Sequence, residues 1–110
     1  MQVTVNGVPT PELLKEVVRR VVAVIHPEKI ILFGSAARGT MGPDSDLDLL
    51  VIASVPHRRK AALAIRESLK GLGVPKDVIV ATPEDIHRYG DVVGYILRPA
   101  LREGKVIYAA

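Results

Sequence analysis

Apolar and polar positions change their spacing several times along this chain, and each change predicts an element. Residues 2–8, Gln-Val-Thr-Val-Asn-Gly-Val, alternate with a period of two and run into an Asn-Gly turn signal, which predicts an edge strand or an extended arm. From Thr10 the period lengthens. Leu14, Val17, Val18, Val21 and Ile25 recur at helical spacing, with Lys15, Glu16, Arg19 and Arg20 on the other faces. Thr10 suits the N-cap and Pro11 the first helical position, while His26-Pro27 stops the helix. The valines lower helix propensity, but the period outweighs them. Residues 29–33 then read as a strand whose unbroken apolar run, Ile30 to Phe33, is the signature of burial on both faces. A loop rich in Gly, Arg and Ser follows, and Met41-Gly42-Pro43-Asp44 reads as a turn into a second strand at about 46–53.

The second half repeats the alternation. Residues 57–72 read as a helix with Ala62, Ile65, Leu69 and Leu72 on its inner stripe and Gly71 or Gly73 at its end. A third strand covers 76–81. Thr82-Pro83-Glu84-Asp85 opens another helix, with acids in the first turn where the helix dipole favours them. Tyr89-Gly90-Asp91 breaks it. A further helix spans about 91–103, disturbed at Pro99 and ended by Gly104, and 105–108 form a last short strand. Val92, Val93, Tyr95, Ile96 and Leu97 are more apolar than one helix face requires, so they pack in the core or form a partner or homo-oligomer surface. Strands alternating with helices indicate an α/β or α+β fold, a sheet covered by helices, although periodicity does not order the strands.

Composition narrows this picture. A chain of 110 residues with 48% hydrophobic content suits one domain, 1–110, with one core. No apolar run has membrane-spanning length, and no charged leader with an apolar stretch opens the chain. The absence of Cys excludes disulfides and thiolate metal sites, and a cytoplasmic location is the simplest reading. The net charge of +3 suits a nucleotide or an acidic partner without pointing to nucleic acid. The basic run His57-Arg58-Arg59-Lys60 sits at a helix start, against the dipole preference. It reads first as a solvated face and second as a contact for a triphosphate, RNA or an acidic protein.

Candidate chemistry lies on either side of the Gly-rich loop. Ile30-Ile31-Leu32-Phe33 leads into Gly34-Ser35, and ten residues later Asp46-Leu47-Asp48-Leu49 opens the second strand. Side chains alternate along a strand, so Asp46 and Asp48 share a face with Cα atoms ~6.5–7 Å apart, while Leu47 and Leu49 point into the core. Two acids on one face repel each other, and a divalent cation relieves the repulsion. Carboxylate oxygens suit Mg²⁺, and two such ions about 3.5–4 Å apart clamp the entering and leaving oxygens of a phosphoryl displacement. A calcium loop starting at Asp44 fails, because Leu49 and Val55 occupy the positions that need Gly and Glu. Gly34 permits a sharp turn and a close phosphate approach, and a helix opening at Ser35 would aim free N–H groups at an anion. The Ser35 hydroxyl and the Arg38 guanidinium are further phosphate ligands. Asp77 enters a strand where an acid is otherwise disfavoured.

Gly34-Ser35, the ten-residue gap and Asp46-Leu47-Asp48-Leu49 together resemble the signature of the DNA polymerase beta-like nucleotidyltransferase superfamily. Gly34-Ser35-Ala36-Ala37-Arg38-Gly39 with Ser45-Asp46 is similar to its smallest branch, the minimal nucleotidyltransferases, which often pair with a HEPN-domain protein in toxin–antitoxin systems. The resemblance extends to Glu103-Gly104-Lys105-Val106-Ile107-Tyr108. Ala36 departs from it, since the branch often has Arg there. The resemblance implies a mixed sheet with the acids at one end, and Asp77 as a third acid that ligates metal and takes the acceptor's proton. It also implies ATP as substrate, Gly34, Ser35 and Arg38 at the nucleotide phosphates, and transfer of AMP to a hydroxyl of a HEPN toxin that the chain neutralises. A steric antitoxin without catalysis and a small-molecule nucleotidyltransferase are the rival readings.

Overall fold

The computed structural model describes residues 1–92 and 97–110. Among the described residues the elements are β1 Thr4–Val5, β2 Val8–Pro9, α1 Pro11–Val24, β3 Lys29–Phe33, α2 Gly34–Arg38, β4 Leu47–Ile52, α3 Arg58–Ser68, β5 Lys76–Ala81, α4 Pro83–Tyr89, α5 Leu97–Glu103 and β6 Lys105–Ala109. Four strands make one mixed sheet in the order β5-β4-β3-β6. β3 is antiparallel to both of its neighbours, and β4 and β5 are parallel. A parallel pair needs a crossover, which α3 supplies. The expected mixed sheet flanked by helices is the fold observed.

The apolar runs of β3 and β4 are continuous because both sheet faces are covered. Ile30, Leu32, Leu49 and Val51 face α1 and α3, where Leu13, Val17, Val21, Ile65 and Leu69 complete the larger core. Ile31, Phe33, Leu50 and Ile52 face the other way, against Leu97 and Ala100 of α5. Thr10 caps α1 by accepting from Leu13 N at 3.2 Å. Arg20 reaches across from α1 and donates to Ser68 O at 3.1 Å and Lys70 O at 2.9 Å, satisfying carbonyls that the end of α3 leaves free.

Several expectations shift. The arm at 2–8 is a hairpin, because Asn6 and Gly7 both take positive φ, 51° and 81°, as a tight two-residue turn requires. The fully buried stripe of α1 is Leu13, Val17 and Val21, with Leu14 and Val18 only half-buried. α3 stops at Ser68 rather than 72, and Ala61, not Ala62, is its buried alanine. The second strand of the sheet starts at Leu47, one residue later than expected. The described part of α5 runs from Leu97 to Glu103 and contains Pro99. Asp91 and Val92 precede it as non-helical residues, and Val93, Tyr95 and Ile96 of the expected apolar surface lie outside the described residues.

Candidate functional site

One end of the sheet gathers the residues singled out above. β3 passes into α2 without a connecting residue, because Gly34 takes a left-handed φ of 67° that turns the chain sharply. α2 is short, and Gly39 at φ 74° ends it. Within it Ala36 and Ala37 are buried and Arg38 is exposed. The alanine that departs from the branch pattern therefore packs inward, and Arg38 carries the cation of this turn.

Register brings the acids alongside. Phe33 pairs with Asp48 across the antiparallel ladder, and Asp48 pairs with Asp77 across the parallel one. Asp48 thus sits on a central strand between the residue preceding Gly34 on one side and Asp77 on the other. A Cβ placed on Gly34 would collide with Asp48 Oδ2 and lie 3.2 Å from its Cγ, so this carboxyl rests directly against the turn. Asp46 stands just outside β4 and is exposed. The strand entry behind it is held where Leu47 N donates to Pro75 O at 2.8 Å.

The electrostatics follow from that geometry. Burial pushes the Asp48 carboxyl above the ordinary carboxylate range, and the neighbouring charges of Asp77 and then Asp46 push it the same way. The positive charge of Arg38 opposes the shift. Asp48 is half-buried, whereas Asp46 and Asp77 face solvent. Among the described residues no group of three or more His, Cys, Asp or Glu side chains stands as placed where it could hold a metal ion. What the site offers is an open, oxygen-only set of donors whose central carboxylate is disfavoured as an anion. That suits a hard cation taking its remaining ligands from phosphate and water, as Mg²⁺ does, better than a fully caged ion.

The basic run lies elsewhere. Arg58, at the start of α3 beyond the far end of β4, donates to both carboxylate oxygens of Asp85 in the first turn of α4. With β4 and β5 parallel, this pair is at the opposite end of the strands from Asp48 and Asp77, so the run does not meet a triphosphate bound at the acids. Asp85 also caps α4 by accepting from Thr82 N, and its carboxyl is held down at about 2, chiefly by Arg58. Two supports of the acid end escape the sequence reading. Ser45 Oγ accepts from Gly42 N at 2.8 Å and closes the turn before Asp46, and Gly7 O accepts from Met41 N at 3.1 Å. The Asn6-Gly7 turn signal hinted at the second, but not at what the turn would touch.

Comparison with known proteins bears on this arrangement. The family model described as "Nucleotidyltransferase domain" matches residues 11–107. A curated protein of Methanocaldococcus jannaschii, named "Putative protein adenylyltransferase MJ0604", is 36% identical over 81 residues, covering 74% of this chain and 78% of its own. Among solved structures, a mutant of the toxin–antitoxin MntA-HpeT superposes with a TM-score of 0.69 at 18% identity, over 88% of this chain and 73% of that one. A toxin–antitoxin structure with AMP-PNP gives the same TM-score at 19% identity, over the same shares. At these identities the two structural likenesses are likenesses of fold.

Proposed function

The chain belongs to the nucleotidyltransferase domain family, and from that premise we propose that it is an Mg²⁺-dependent protein adenylyltransferase that moves AMP from ATP to a hydroxyl of a partner HEPN toxin and so neutralises it. The observation that carries this reading is the seating of the Asp48 carboxyl against Gly34 with Asp77 abreast of it. It joins a phosphate-approach turn to a cluster of acids at one point. The named relative supports protein as the acceptor, and the toxin–antitoxin structures support the partner class.

In this reading Asp46, Asp48 and Asp77 would hold the metal, as a pair of ions. When bound, the metal neutralises phosphate charge and polarises the phosphoryl oxygens. In this reading the β- and γ-phosphates approach the backbone of the Gly34 turn, Ser35 donates its hydroxyl and backbone N–H, and Arg38 meets the phosphate tail. The acceptor oxygen attacks the α-phosphorus in line, the α–β anhydride bond breaks, and pyrophosphate leaves. In this reading Asp77, exposed on the edge strand β5, takes the acceptor's proton. The protein works in the cytoplasm beside its partner.

The test incubates the protein with its HEPN partner, Mg²⁺ and ATP labelled at the α-phosphorus. Label on the partner that disappears with Asp48→Asn supports the reading. Full neutralisation of the toxin by Asp48→Asn, with no label transferred by either protein, refutes it in favour of steric masking.

A further inference from the structure

We infer that the N-terminal hairpin is a positioning element of the active site, setting the affinity for metal and nucleotide through the loop that carries Asp46. The inference rests on the reading of the acids given above. The family match begins at residue 11, so the hairpin lies outside the part of the chain shared with the family model.

The three acids are not equally well anchored. Asp48 and Asp77 are ladder residues, Asp48 held by the strands on either side of it and Asp77, on the edge strand, by β4 alone. Asp46 lies ahead of β4, at the end of the loop that leaves α2, and has no ladder partner. The hairpin braces that loop through its tip, while its base fixes the hairpin itself. At the base, Thr10 is buried; it donates its hydroxyl to Gln2 O at 2.7 Å and its backbone N–H to Val3 O at 2.9 Å, tying the arm to the start of α1. At the tip, Gly7 O accepts from Met41 N. A Cβ on Gly7 would lie 2.8 Å from Gly39 O and 3.2 Å from both Met41 N and Met41 O, so the tip is pressed onto the loop backbone. Val8 Cγ2 covers Gly39, where a Cβ would stand 3.3 Å away. With Thr40 N bound to Ser35 O and Met41 bound to the hairpin, only the Gly42–Ser45 turn separates the fixed part of the loop from Asp46. Two-residue strands are not stable by themselves in water, so docking also keeps the hairpin folded.

Gly7→Ala in the full chain tests this, since φ of 81° and the close loop backbone both resist a side chain. Three quantities are read: amide exchange at Met41 and at Leu49, the Mg²⁺ concentration for half-maximal binding of a non-hydrolysable ATP analogue, and kcat at saturating Mg²⁺. Exchange at Met41 is expected to quicken and the Mg²⁺ midpoint to rise, each roughly tenfold, the scale set by left-handed strain. Leu49 exchange and kcat should stay near the wild type. Asn6→Gly, which accepts the same positive φ, should match the wild type throughout. Should Gly7→Ala not fold, Val8→Ala loosens the same contact without backbone strain and should shift the midpoint in the same direction by less. If the wild type binds the analogue with Mg²⁺ and neither hairpin variant moves the midpoint, the inference is overturned while the reading of the site stands. If the variants raise Leu49 and Met41 exchange together and leave the midpoint alone, the hairpin serves general stability and the inference again falls. A wild type with no Mg²⁺-dependent binding overturns the reading of the site and the inference with it.

Discussion

Gly34→Ala addresses the contact on which the site depends. Two separable costs follow from the structure. Holding an L-residue at φ 67° costs about 1–2 kcal/mol, whatever surrounds it. The new methyl also meets Asp48 Oδ2, so the carboxylate must leave its rotamer, adding about 0.5–1.5 kcal/mol. The sum, roughly 1.5–3.5 kcal/mol, lowers the melting temperature by about 4 °C or more per kcal/mol for a domain of this size. The rate of nucleotidyl transfer should fall by about a hundredfold or more, since a 1 Å misplacement of a reacting group costs that much. The assay is a double-mutant cycle in urea with Asp48→Ala as the second change. Asp48→Ala removes the atoms that collide, so in that background Gly34→Ala should cost only the backbone term. The coupling then equals the collision alone. Strict additivity would show that Asp48 does not rest against the turn, and the geometric case for the site would fail.

Asp48→Asn should leave the metal-free protein as stable as the wild type or more so at neutral pH. The Asp48 carboxyl is held above its ordinary value of 3.8 by burial and by Asp77 and Asp46. The folded state therefore binds its proton more tightly than the unfolded chain, and the stabilisation it lends is complete below 3.8 and lost as pH rises through the raised value. Melting temperatures followed from acid to neutral pH should fall over that window in the wild type and not in the variant, while Mg²⁺ with ATP should stabilise only the wild type. A variant melting far below the wild type without metal would make Asp48 a structural residue. Thr82→Ala, which removes the hydroxyl accepting from Asp85 N at 3.1 Å, should cost about 1 kcal/mol in urea denaturation and leave nucleotide binding unchanged, because α4 starts at the other end of the parallel strands. Asp85, held at about 2, contributes stability that is present above 3.8 and lost as pH falls toward 2, so acid titration of stability in Arg58→Gln should show that step diminished.

Local chemistry made much of the chain legible without its structure. The strands at 29–33 and 76–81 have the limits their apolar runs and breakers predicted, and Thr10-Pro11 and Thr82-Pro83 open helices as cap and first-turn residues do. Less was legible where two signals competed. The alternation at 2–8 predicts an edge strand or an extended arm and does not say whether it pairs with its own continuation. Leucine spacing that continues past Ser68 predicts a helix to 72, whereas α3 ends at Ser68 and Gly71 and Gly73 take φ of 82° and 80° beyond it. The candidate site divides in the same way. Gly34, Ser35, Asp46, Asp48 and Asp77 could be named from residue type and spacing. Their mutual placement could not, nor could the burial of Ala36 or the engagement of Arg58 by Asp85.

The amino-acid order by itself determined where segments start, stop and turn, and which residues carry charge into an apolar setting. Those properties depend on neighbours within a few positions: a cap, a period, a missing N–H. Only the tertiary structure decided that β4 lies between β3 and β5, antiparallel to one and parallel to the other. That ordering brings the Asp48 carboxyl against the backbone of Gly34 and Asp77 alongside, across gaps of fourteen and twenty-nine residues. The pairing is set by burying both faces of the sheet at once, a collective condition that no local stretch of this chain expresses.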